Sequence, residues 1–143
     1  MFPVLLPRGR ECTADTGYNP GFMRIVADVA VVIVAVLHFG FLILEMFLWT
    51  KPFGMRTFRL SPEIAQASAG LAANQGLYNG FLAAGLLWGV SGSDGGYPIK
   101  LFFLGCVIVA GVFGGFTAKR SILWLQAFPG LIALLAVIAA HRG

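Results

Sequence analysis

Two ionisable side chains stand in apolar surroundings, His38 and Glu45, seven residues apart in HFGFLILEMFLWT. On an α-helix that spacing is almost two turns, so the pair shares one face about 10 Å apart along the axis. An imidazole and a carboxylate so placed form a candidate catalytic set. Glu45 would be the acid or base, and His38 its partner or a second proton carrier. A second group lies in LAANQGLYNGFLAAGLLWG, which carries Asn74, Gln75, Tyr78 and Asn79. At about 100° per residue these four fill one helical arc of about 140°. Amides and a phenol on one arc can orient the polar head of an otherwise apolar ligand. Gln126, in a later apolar run, is a further candidate for the same wall.

Each of these residues also has a plainer reading. Asn and Gln inside apolar helices hold neighbouring helices together, at about 1 kcal/mol each. His38 fits equally well as a hydrogen-bonded core residue. Glu45 fits a site close enough to an interface to reach Lys51 or water. A carboxylate is nonetheless costly in hydrocarbon, so Glu45 is the residue most in need of a function. Trp49, Trp88 and Tyr97 read as interfacial belt residues.

The elements that position these groups follow from composition. The chain has 143 residues, 58% hydrophobic and 11% charged, with mean hydropathy +0.84. Soluble domains carry roughly 25% charged residues. So apolar a chain requires lipid as solvent for much of its surface. The net charge of +4 does not point to nucleic acid, because the basic residues sit between apolar blocks instead of forming a basic-aromatic run. The two cysteines, Cys12 and Cys106, form neither a disulfide framework nor a zinc set. His38 and Glu45 are only two metal ligands, so no metal is expected. No nucleotide, haem or flavin motif occurs, and no cofactor is expected.

Four apolar runs are long enough to span a bilayer: Ile25 to Trp49, Ala69 to Val90, Ile99 to Phe116 and Ile122 to Ala140. Too few segments exist for a closed barrel, so the spans must be helical. The expected fold is all-α, an antiparallel up-down bundle of four transmembrane helices. Residues 1–22 hold three prolines and mixed charge and read as a disordered N-terminal tail ahead of a membrane domain over 23–143, with Met23 a candidate start residue. Ser61-Pro62-Glu63 is a helix-start signature, with Ser capping, Pro in the first position and Glu at the positive dipole end. Ala118 to Ser121 reads as a tight turn, and Pro129 as a kink in the last helix. Counting basic residues places the first and third connections in the cytoplasm and both termini outside, although the charge bias is slight.

Depth brings the polar groups together. His38 falls near the midplane, level with Tyr78 and Asn79 of the antiparallel second span. Glu45 falls about 12 Å towards the cytoplasmic side, close to Asn74 and Gln75. Ala72, Gly76, Gly80 and Ala84 form a small-residue ladder that lets two helix backbones approach. Cys106, Ala110 and Gly114 repeat it in the third span, beside Gly111 and Gly115.

The stretches HFGFLILEMFLWTKPFG, LAANQGLYNGFLAAGLLWG and LFFLGCVIVAGVFGG, with the Gln126–Pro129 region, resemble the domain-of-unknown-function 1304 family. The resemblance covers Arg24 to Ala140 and leaves out the head. It implies a small bacterial integral membrane protein and implies no activity.

The leading functional expectation is an inner-membrane protein with an intramembrane polar pocket. That pocket would bind or act on a small amphipathic or lipid-like molecule. Two alternatives stand beside it: a proton-coupled small-molecule exporter acting as a homodimer, and a non-catalytic membrane subunit or scaffold.

Overall fold

The computed structural model describes residues 19–92 and 96–142. The described residues fold into helices: α1 (Pro20–Met46), α2 (Pro52–Phe58), α3 (Pro62–Ser91), α4 (Gly96–Thr117) and α5 (Phe128–Arg142). A π-helical segment (Leu123–Ala127) leads into α5. Most of the expected tail, including Cys12, lies outside the described residues, as does Asp94 in the connection from α3 to α4.

Local chemistry sets the helix ends. The Asn19 side chain accepts from the Phe22 N–H at 3.2 Å, and Pro20 takes the first helical turn. The first helix therefore begins ahead of Met23, and residues 20–22, expected in the tail, are helical. Ser61 caps α3 by accepting from the Ile64 N–H at 3.3 Å, with Pro62 behind it. The Ser61 hydroxyl and the backbone N–H of Glu63 hold the Glu63 carboxyl below its ordinary pKa range. The α4–α5 turn occupies residues 118–120.

Pro129 lacks an N–H, and its ring crowds the carbonyl four residues back. The chain answers upstream with the π segment, in which the Phe128 N–H reaches the Leu123 carbonyl across five residues. The disturbance expected from Pro129 thus takes the form of a widened turn.

The long helices α1, α3, α4 and α5 pack in a ring in chain order, with α5 returning to α1. The core is small and apolar: Ala27, Val31, Val34 and Ala35 meet Leu86, Leu104, Val107, Ala133 and Val137. Large apolar side chains point outwards instead, among them Ile33 and Val36 on α1, Phe81 on α3, Val109 and Phe113 on α4, and Leu135 on α5. An exterior of this kind suits hydrocarbon better than water.

Among the described residues, three helices are long and apolar enough to cross a membrane: Pro20–Met46, Gly96–Thr117 and Leu123–Arg142, with hydropathies of 2.5, 2.2 and 2.1. The helix α3 does not join them. Its 30 residues are long enough, but Glu63, Gln66, Asn74, Gln75 and Asn79 dilute its apolar content. The sequence expectation of four spans is therefore met for three helices.

The connection between α1 and α3 is folded tightly. Trp49 donates its indole N–H to Ser68 Oγ at 3.0 Å and packs on Phe58 with ring centroids 4.7 Å apart. Trp49 thus joins two elements and is more than a belt residue. Gly54 has no room for a Cβ, because the Leu48 carbonyl occupies that space.

Candidate functional site

The α1–α3 seam holds Glu45 and Asn79. Close approach is possible because Gly76 and Gly80 face α1. A Cβ at Gly76 would lie 2.7 Å from Met46 Cγ and 3.1 Å from both Glu45 Cβ and the Leu42 carbonyl oxygen. Asn79 is buried, 6% exposed, and its Nδ2 donates to Glu45 Oε2 at 2.7 Å. An amide donating to a carboxylate is a charge-assisted hydrogen bond when the acid is ionised. Glu45 Oε1 has no hydrogen-bond partner among the described residues, and Glu45 is half-buried.

The other candidate residues are placed differently. Asn74, Gln75 and Tyr78 are exposed on the outer side of α3 and do not line a wall with Asn79. The reason is angular. Asn79 lies within about 60° of Gly76 around the helix, whereas Asn74 and Tyr78 lie about 160° away from it. Gln126 sits in the π segment and donates to the Val107 carbonyl of α4 at 3.3 Å. It is engaged in the contact between α4 and the last helix, away from Glu45.

His38 is fully buried. Its Nδ1 lies 2.9 Å from the Val34 carbonyl oxygen, so Nδ1 is the protonated nitrogen and donates to its own helix. Its ring meets Phe41 edge-on at 5.7 Å. Among the described residues Nε2 has no partner. The expected His38–Glu45 acid–base pair is not assembled, since each group hydrogen-bonds elsewhere. Among the described residues no cluster of three or more His, Cys, Asp or Glu is placed to hold a metal ion.

Beside the Glu45–Asn79 pair runs an apolar groove of about 260 Å³ between α1 and α3. Ala35, Val36, Phe39 and Leu42 line it from α1, and Gly80, Ala83, Ala84 and Leu87 from α3. Leu42 precedes Glu45 by three residues, and Gly80 follows Asn79. The polar pair therefore lies about one turn beyond the end of the groove.

Sequence reasoning missed a second polar pair. Lys100 Nζ lies 2.8 Å from Asp28 Oδ1, joining the start of α4 to the start of α1. A signal was present: α1 and α4 run parallel in an up-down chain, so opposite charges near their starts share a depth. The Lys100 stem passes over Gly89 and its ammonium meets the carboxylate. At the same end Tyr97 stacks on His141, with ring centroids 3.7 Å apart and planes 13° from parallel.

Comparison with known proteins gives the lineage without an activity. The family described as a protein of unknown function (DUF1304) matches residues 32–138. An uncharacterised protein, YpaA, of Lactococcus lactis subsp. lactis (strain IL1403) is 28% identical over 120 residues, covering 82% of this chain and 98% of the relative. No solved structure matches the chain. The matched residues run from the middle of α1 to near the end of α5 and take in the seam, the groove and the Glu45–Asn79 pair. The chain belongs to the DUF1304 family of proteins of unknown function.

Proposed function

We propose that the chain is an integral membrane protein with α3 as its fourth span, and that it binds an amphipathic molecule at the α1–α3 seam. The apolar part of the ligand lies in the groove, and its head, cationic or rich in hydrogen-bond donors, reaches Glu45. The observation that carries this reading is the adjacency of the groove to the Glu45–Asn79 pair. A carboxylate only accepts hydrogen bonds, so it selects donors. One of its oxygens is occupied by Asn79 and the other has no partner among the described residues. Asn79 fixes the carboxylate in place, which lowers the ordering cost of binding.

A diazirine-bearing long-chain amine tests this with protein in nanodiscs. Photolabelling is expected on α1 residues 35–42 and α3 residues 80–87. Glu45→Gln should weaken amine binding about tenfold, the loss of roughly 1.4 kcal/mol. A diazirine alkane without the amine should label both proteins equally. Ala84→Phe, at an exposed groove position, should block both probes. Equal amine labelling of wild type and Glu45→Gln would refute the reading.

A second reading concerns assembly. Asn74, Gln75 and Tyr78 are exposed at a depth where lipid offers no hydrogen bonds. Carboxamides are both donors and acceptors, so this face can pair with itself about a two-fold axis. Tyr78→Cys, in a chain also carrying Cys12→Ser and Cys106→Ala, is expected to form a disulfide-linked dimer in native membranes under mild oxidant. Val109→Cys on α4, which is more exposed than Tyr78, should not. Comparable cross-linking at both positions would signify random collision.

A further inference from the structure

At the end of the bundle away from Glu45, a cleft of about 410 Å³ opens where α1 and α4 start and α3 and α5 finish. Its floor is the apolar core, at Ala27, Val137 and Ala140. Its polar wall consists of Arg24, Asp28, Tyr97, Lys100 and His141. Asp28 is committed to Lys100 at 2.8 Å. Arg24 has neither an ion pair nor a hydrogen bond among the described residues, although it faces the cleft. With His141 neutral, the lining side chains among the described residues carry one positive charge in excess. Lys100 retains donors beyond the one given to Asp28, and Tyr97 and His141 form a stacked aromatic wall beside it.

We propose that this cleft binds a phosphate-bearing anion, with Arg24 and Lys100 as the phosphate ligands and the Tyr97–His141 stack as the side wall. The guanidinium fork matches phosphate oxygens in pairs, and the Lys100 ammonium adds a point charge. The volume exceeds that of a bare phosphate and leaves room for a glycerol-sized substituent over the apolar floor. Two sources present this chemistry, an anionic phospholipid headgroup and a soluble phosphate. The site is independent of the seam: it lies at the opposite end, carries the opposite charge preference, and shares no residue with the groove.

The test uses the full chain in detergent, with native mass spectrometry for occupancy and a thermal shift for stabilisation. The probes are dioctanoyl phosphatidylglycerol, dioctanoyl phosphatidylcholine and inorganic phosphate. Phosphatidylglycerol is expected to bind about tenfold more tightly than phosphatidylcholine, whose fixed cation opposes Arg24. Arg24→Gln should abolish that preference, and His141→Ala should weaken it. Arg56→Gln, an exposed change on α2 at the other end, should keep it. If inorganic phosphate stabilises wild type as strongly as phosphatidylglycerol, and not Arg24→Gln, the site stands and its ligand is a soluble phosphate. Equal binding of the two lipids by wild type, with no response to inorganic phosphate, would overturn the proposal. So would undiminished phosphatidylglycerol binding by Arg24→Gln. Because Arg24 is exposed, that variant is expected to fold. A wild-type circular dichroism spectrum checks this.

Discussion

Gly111→Leu is expected to remove the folded protein, while Gly105→Ala, earlier on the same helix, is expected to leave it intact or slightly stabilised. At Gly111 the last helix passes so close that a Cβ would lie 2.6 Å from the Ala127 backbone nitrogen and 3.0 Å from its Cα. Backbone cannot rotate aside as a side-chain tip can. The obstacle also belongs to the π segment, which is already held by Pro129 downstream and by the Gln126–Val107 hydrogen bond. Overpacking at such a contact costs about 3 kcal/mol or more. At Gly105 a Cβ meets nothing within 4 Å, and alanine raises helix propensity by up to about 1 kcal/mol. Size-exclusion chromatography of a fluorescent fusion after a heat step measures both. Gly111→Leu should give aggregate or no monodisperse peak at temperatures where wild type survives. A Gly111→Leu protein as stable as wild type would show that α4 and the last helix do not touch here.

Asp28→Leu is the second large effect, a loss of about 2 kcal/mol. The Lys100 side chain is only 16% exposed, and Asp28 is 37% exposed. Removing a partner from a fully buried pair costs about 3–5 kcal/mol, and the partial exposure of Asp28 reduces that figure. Lys100 cannot easily swing into water, because its stem lies on Gly89: the position of a Cβ there is 2.7 Å from Lys100 Cγ. Exchanging the charges, Asp28→Lys with Lys100→Asp, should restore at least half of the loss. The coupling appears as non-additivity of the single changes in a thermal unfolding cycle. Fully additive effects would mean that the pair contributes nothing to joining α1 and α4.

Features that depend on a few neighbouring residues were legible in the sequence. The capped start at Ser61-Pro62 and the α4–α5 turn are examples, because capping and turn chemistry act within one helical turn. Pro129 signalled a disturbance but not its form, since kinking and widening both relieve a proline clash. The facing of Asn74 to Asn79 was not legible. Helical spacing fixes their relative angles, but lipid-facing and protein-facing surfaces are both apolar, so hydrophobicity could not orient α3. Gly76 and Gly80 orient it, and Asn79 falls at the edge of the arc on their side. Glu45 and Asn79 were both singled out, yet their bond depended on that rotation. The Asp28–Lys100 pair was not legible either, because Asp28 lies towards one end of its helix and its partner is 72 positions away in the chain.

The π segment has a consequence for how this chain tolerates length changes. It sets the rotational phase of everything after it. Leu123 faces Gly115, Ala127 faces Gly111, and beyond them Gly130, Ala133, Val137 and Ala140 continue along the buried side. Removing one residue from 124–126 would let the segment tighten into ordinary α-helix and leave α5 close to its present phase, because the widened turn already absorbs one extra residue. Removing a residue just after Gly130, where the helix is regular, would instead turn the rest of α5 by about 100°. Ala133 and Val137 would rotate out of the core, and larger side chains such as Leu135 would turn towards it. Residues 123–127 therefore act as a slack joint, the place in this helix where a lost residue costs little rotation.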